Sequence, residues 1–154
     1  MHAGRDGVVK AKIDEALATV PLFQGMSRRH RKHLAGLMES IDFMQDHSIV
    51  RQGDEADSFY VVIDGEATVR IDGRVVATKG AGDYFGEIAL LDGGVRTATV
   101  SSDTPMTMLV LHRREFERAL DEDPTLARAL LANLAGMLRR LDAALRQAGG
   151  SLPS

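Results

Sequence analysis

The sequence predicts a mainly β domain, a barrel or jelly roll, with helices before and after it. Three observations lead there. Between residues 41 and 111 the apolar residues recur with a period of two, whereas on both sides of that stretch they recur at helical spacing. Asp-Gly pairs and single glycines punctuate the central stretch where a chain of short strands must turn. At 154 residues, with 44% hydrophobic and 27% charged residues, the chain suits one globular domain with a core of its own.

The elements follow in order. Residues 8–40 read as helices: Ile13, Ala16, Leu17 and Val20 share one helical face, and Pro21 stops that segment. Ser27 is a suitable N-cap for a second helix carrying Leu34, Leu37, Met38 and Ile41. Strands are expected at Ile49–Arg51, Phe59–Ile63, Ala67–Ile71, Arg74–Thr78, Thr97–Ser101 and Met106–Leu111. Asp64-Gly65 and Asp72-Gly73 read as tight hairpin turns. Gly53, Gly80 and Gly82 fall at further turns. Residues 113–147 return to helix, with Asp123 capping a long segment that opens at Pro124. Residues 148–154 are expected to form a flexible tail.

The chemistry concentrates in residues 82–100. Gly86 lacks a Cβ and permits close approach of a ligand to the backbone. Glu87 offers an acceptor-only carboxylate, suited to a sugar hydroxyl, and Arg96 a permanent planar cation, suited to a phosphate diester. Glu87-Ile88-Ala89-Leu90-Leu91 is a helix-forming run whose first turn leaves amides free for an anion. The order Phe-Gly-Glu-Ile-Ala-Leu-Leu (85–91), then Arg-Thr-Ala-Thr-Val (96–100), resembles the phosphate-binding cassette of cyclic-nucleotide-binding domains. Val20-Pro21-Leu22-Phe23 and Gly53-Asp54 extend the likeness, which covers roughly Val20 to Gln147.

That resemblance implies an eight-stranded jelly roll (a double-stranded β-helix) filling the chain as a single domain. It implies a non-catalytic regulatory sensor for a cyclic 3′,5′-nucleotide, with cAMP favoured and cGMP an alternative. Glu87 is then the ribose ligand and Arg96 the phosphate ligand. The amides of Ala89 and Thr97 also reach the phosphate, Gly86 lies against the ligand, and Ile88 relays the movement of the short helix. A hydroxyl at Thr97 suits the phosphate or a guanine edge equally well. The base belongs between the roll and the last helix.

Other readings are weaker. Without cysteine, disulfides, thiolate metal sites and a cysteine nucleophile are excluded. The five histidines (His2, His30, His33, His47, His112) lack the His-x-His pair of a cupin-like metal enzyme, and no Gly-x-Ser-x-Gly occurs. A carboxylate near arginine should be a poor base. Catalytic and metal sites are therefore not expected. The remaining rival is an interaction module of the same fold with no ligand, whose members typically lose the acid or the arginine. The basic run Arg28–His33 reads as the solvated side of a helix, and the net charge of −3 gives no general pull towards nucleic acid. No apolar run approaches ~18 residues, and the first residues carry no apolar leader, so a cytoplasmic protein is expected. About seven residues follow the last helix, too few for a helix-turn-helix, so DNA is not an expected partner. Ala127, Leu131, Leu134, Leu138, Leu141 and Leu145 follow coiled-coil spacing and suggest a homodimer seam, beside Leu126, Leu130 and Met137, which suit packing on the roll. Nothing in the sequence identifies an effector protein.

Overall fold

A computed structural model describes residues 12–149. The expected start of the first helix at residue 8 and the end of the tail at 150–154 lie outside the described residues. Helix α1 (residues 12–18) is followed by a 3₁₀ turn at Pro21–Phe23 and helix α2 (Arg28–Ala35). Eight strands come next: β1 (Glu39–Phe43), β2 (Ser48–Val50), β3 (Ser58–Asp64), β4 (Ala67–Ile71), β5 (Arg74–Lys79), β6 (Tyr84–Phe85), β7 (Thr99–Ser102) and β8 (Met106–His112). Helix α3 (Glu87–Asp92) interrupts them between β6 and β7, and α4 (Arg113–Glu122) and α5 (Pro124–Gln147) close the chain. No helix among the described residues is long and apolar enough to cross a membrane.

The strands form two antiparallel four-stranded sheets, in the orders β1-β8-β3-β6 and β2-β7-β4-β5. The roll is thus two facing open sheets rather than a closed barrel. The alternation of β3 explains the core. Phe59 and Val61 join an apolar cluster with Leu17, Phe23, Phe116, Leu126 and Leu130 of the helical layer. Tyr60 and Val62 join another with Val69, Phe85, Val100 and Met108 between the sheets. Strand β8 divides in the same way, Leu109 and Leu111 on one side and Met108 and Val110 on the other. A sheet covered on both faces needs continuous apolar strands, which is why Phe59–Ile63 does not alternate in polarity.

Local signals decide several ends. The Ser27 hydroxyl accepts from the His30 amide at 3.1 Å, and an Asp123 carboxylate oxygen accepts from the Thr125 amide at 3.0 Å, so both expected caps form. Asp72-Gly73 makes the expected hairpin, with Ile71 opposite Arg74 and positive φ at both turn residues.

Four expectations need correction. The second helix ends at Ala35, and Ile41 lies in strand β1, because residues 39–43 pair with β8, Glu39 opposite Val110. Asp64-Gly65 is not a hairpin: β3 pairs with β6 and β8, β4 with β5 and β7, and the pair carries the chain from one sheet to the other. Gly65 is needed there, since a Cβ would lie 2.5 Å from the Pro105 carbonyl oxygen. Strand β7 begins at Thr99, two residues later than expected, because the Arg96 backbone is held by another loop. In α5, Leu126 and Leu130 are buried as expected for packing on the roll, but Met137 is exposed.

Candidate functional site

The site is built where α3 and the following loop meet the β2–β3 loop. Gly86 ends β6 in the left-handed region, φ 96°, and serves as the cap of α3. A Cβ on it would stand 2.7 Å from Nη1 of Arg96 and 3.0 Å from the Ser58 carbonyl oxygen. Glycine is therefore required twice, by conformation and by the guanidinium lying against its backbone.

Arg96 reaches that position because its backbone is held on both sides. The Gly53 amide donates to the Arg96 carbonyl at 2.9 Å, and the Arg96 amide donates to the Asp54 carbonyl at 2.8 Å. The Gln52 side chain in turn exchanges two 2.9 Å hydrogen bonds with Asp72, tying this loop to the tip of the β4–β5 hairpin. The arginine side chain, 4% exposed, donates from Nη2 to the Ser58 carbonyl at 2.7 Å and from Nη1 to the Gly86 carbonyl at 3.1 Å. Its guanidinium carbon lies 5.8 Å from the centre of the Tyr60 ring. The ion pair recorded for it is with Asp57, at 3.8 Å, and that carboxylate is 85% exposed, so water screens it. Desolvation pulls the guanidinium below its usual range, while Tyr60, Asp57 and Glu87 act in the other direction. A buried cation held by carbonyl dipoles is electrostatically incomplete. An anion would complete it.

Glu87 opens α3 and is 7% exposed. Burial raises its carboxyl above the usual range, outweighing its own backbone amide, Lys79 and Arg96. The expectation of a lowered basicity is thus reversed, because desolvation of the carboxylate is larger than the pull of the nearby cations. Ala89 is buried beneath α3 in the apolar core, Ile88 is half-buried, and Thr97 is exposed in the bend before β7.

Two cavities flank these residues. One, of about 310 Å³, is lined by Val50, Arg51, Asp54, Asp57, Tyr60 and Arg96. The other, of about 330 Å³, runs between the β5–β6 loop and α5, lined by Lys79, Tyr84, Glu87, Asn133, Met137 and Arg140. The acid and the arginine therefore belong to adjoining cavities rather than to one continuous surface. The Asn133 amide donates to the Tyr84 hydroxyl at 2.9 Å across the second cavity. Sequence reasoning missed Ser58, whose contribution is a carbonyl that any residue would carry, and Tyr60, Tyr84 and Asn133, which carry no local signal. Gly53-Asp54 was visible as a motif, though not its grip on Arg96.

Residues 40–123 match the cyclic nucleotide-binding domain family. A cAMP-dependent protein kinase regulatory subunit from Schizosaccharomyces pombe is 34% identical over 108 residues, 70% of this chain and 26% of that protein. A CRP-like cAMP-activated global transcriptional regulator from Mycobacterium tuberculosis is 29% identical over 133 residues, 83% of this chain and 59% of that protein. The solved structure "Sp-2Cl-cAMPS bound to PKAR CBD2" superposes with a TM-score of 0.76 at 28% identity, covering 88% of this chain and 93% of the other. The chain thus spans only part of the curated relatives it matches, and its two sheets, cassette helix and long last helix are those of jelly-roll domains of this kind. With the profile matched over more than half its length, the chain belongs to the cyclic nucleotide-binding domain family.

Proposed function

We propose that this chain is a non-catalytic regulatory sensor of a cyclic 3′,5′-nucleotide, with cAMP ahead of cGMP. The observation that carries the reading is Arg96: a buried cation, seated on Gly86 and two carbonyls, whose recorded ion-pair partner is a screened carboxylate. A phosphate diester, which carries one fixed negative charge, suits that position. Glu87 accepts from the ribose 2′-hydroxyl, Gly86 admits the ligand to the backbone, and the amides of Ala89 and Thr97 add to the phosphate contacts. The relatives named for cAMP supply the preference for adenine.

For one ligand to touch both groups, the surfaces now lining two cavities must merge, and α3 must shift with Ile88 on it. The second cavity is walled by α5, so a base there bears on that helix and the signal leaves through it. The exposed seam of α5 offers a homodimer contact or a face for an effector protein. Calorimetric titration with cAMP and cGMP tests the reading. Saturable one-site binding, with cAMP the tighter, is expected. No heat with either nucleotide, together with no shift of the melting transition, would leave a ligand-free interaction module instead.

A further inference from the structure

The α4–α5 elbow carries a group that the nucleotide reading does not use. Asp123, buried at 4% exposure, spends one carboxylate oxygen on capping α5, while its Oδ2 is buried without a hydrogen-bond partner. Nδ1 of His30, on α2, stands 3.6 Å from that oxygen. One turn further along α2, Nε2 of His33 stands 3.8 Å from a carboxylate oxygen of Glu122, the last residue of α4. Two histidines at helical spacing thus meet two successive acids at the joint from which α5 departs.

We infer that α2 and the α4–α5 elbow form a proton-dependent clasp, closed by His30 and His33 on Asp123 and Glu122. A buried carboxylate oxygen without a donor is costly, and a protonated imidazole supplies both the donor and the countercharge. Imidazole is the side chain whose ordinary titration lies between pH 5 and 8. The other charges on the elements meeting here are accounted for. Asp14 of α1 is taken by Arg31 at 2.9 Å. Arg28, Arg29 and Lys32 on α2 oppose protonation of the histidines, and Asp121 on α4 favours it. Arg128 lies in the second turn of α5. The sign follows. A histidine that gains a carboxylate partner on docking binds its proton more tightly when docked. The clasp is complete below the ordinary histidine range and is lost as pH rises through it. Its window runs from about pH 4, where carboxylates ionise, to about pH 6.5.

The clasp stands apart from the ligand, so it is tested on the unliganded chain. Hydrogen exchange at α2 and at the first turns of α5, corrected for the intrinsic pH dependence of exchange, is measured at about pH 5.5 and about pH 8. The native chain is expected to lose roughly 10-fold or more of protection at the elbow on going to the higher pH. The His30→Gln/His33→Gln variant is expected to have the same protection at both. Equal protection of the native chain at the two pH values, or the same loss in the variant, overturns the inference. Should the variant fail to fold, NMR titration of the native chain decides. The Thr125 amide must move with the midpoint of the His30 ring, and an unrelated midpoint overturns the clasp.

Discussion

The cassette and the last helix treat water in opposite ways. In the cassette, two groups that favour water, Glu87 and Arg96, are 7% and 4% exposed. On α5, residues that favour a core lie bare: Leu131 is 65% exposed and Leu138 56%, with Leu141 and Leu145 on the same stripe. Each reverses the ordinary partition of side chains. Each also costs stability in the isolated chain, through desolvated charge in the first and unburied apolar area in the second. The cassette awaits a small polar ligand, and the helix an apolar surface. Coupling between them is what a sensor requires: by linkage, a ligand that changes association through α5 has its own affinity changed by association to the same degree.

The most severe way to break the polar half is Arg96→Ala. It removes the countercharge and leaves the Ser58 and Gly86 carbonyls without their donor. Affinity for cAMP is expected to fall by ~30- to 1000-fold, or on the order of 2–4 kcal/mol, by calorimetry. Unchanged affinity would remove Arg96 from the site.

Glu87→Gln separates binding from stability. It is expected to weaken cAMP by about 10-fold while leaving a 2′-deoxy analogue nearly unaffected, since that analogue has no hydroxyl to lose. Without ligand it should raise the melting temperature at neutral pH. Burial raises the Glu87 carboxyl, so folding favours its protonated form. The native chain therefore loses stability as pH rises through the titration of this group, and the amide does not. The melting difference must shrink as pH falls below the ordinary carboxylate range, and a constant difference would contradict the assignment.

Leu138→Glu tests the apolar half. If the stripe is a seam between copies, the variant should dissociate about 10-fold more readily in sedimentation runs, with and without nucleotide. A native chain that is monomeric throughout would leave the stripe to an effector. The smallest effect is expected from Thr97→Ala. A hydroxyl that reads guanine should cost cGMP a few-fold more affinity than cAMP, whereas an equal loss would place it on the phosphate.

The cassette was legible because its chemistry is local: Gly86, Glu87 and Arg96 lie within a short stretch, and their order carries the meaning. The hairpin at Asp72-Gly73 was legible for the same reason. Strand β1 was not. Leu34, Leu37, Met38 and Ile41 satisfy a helical face, and only pairing with distant β8 makes residues 39–43 extended. Asp64-Gly65 misled because an Asp-Gly pair reports a turn but not which sheet the chain enters next. Two-residue β6 is held by its partners in β3 rather than by any pattern of its own. The burial of Glu87, which decides the direction of its titration, belongs to the packing of α3 and left no trace in the sequence.

The register of β1 with β8 has a consequence for how the molecule is made. The first strand of the roll finds its partner in the last, Glu39 beside Val110 and Phe43 beside Met106. A ribosome extruding this chain releases β1 long before its neighbour exists, so the edge of that sheet waits while the whole cassette is synthesised. Contacts so distant in sequence slow folding, because the intervening loop must close before the pairing rewards it. A nascent chain stalled after β7 would hold every residue of the phosphate cassette and still lack the central strand of the sheet behind it.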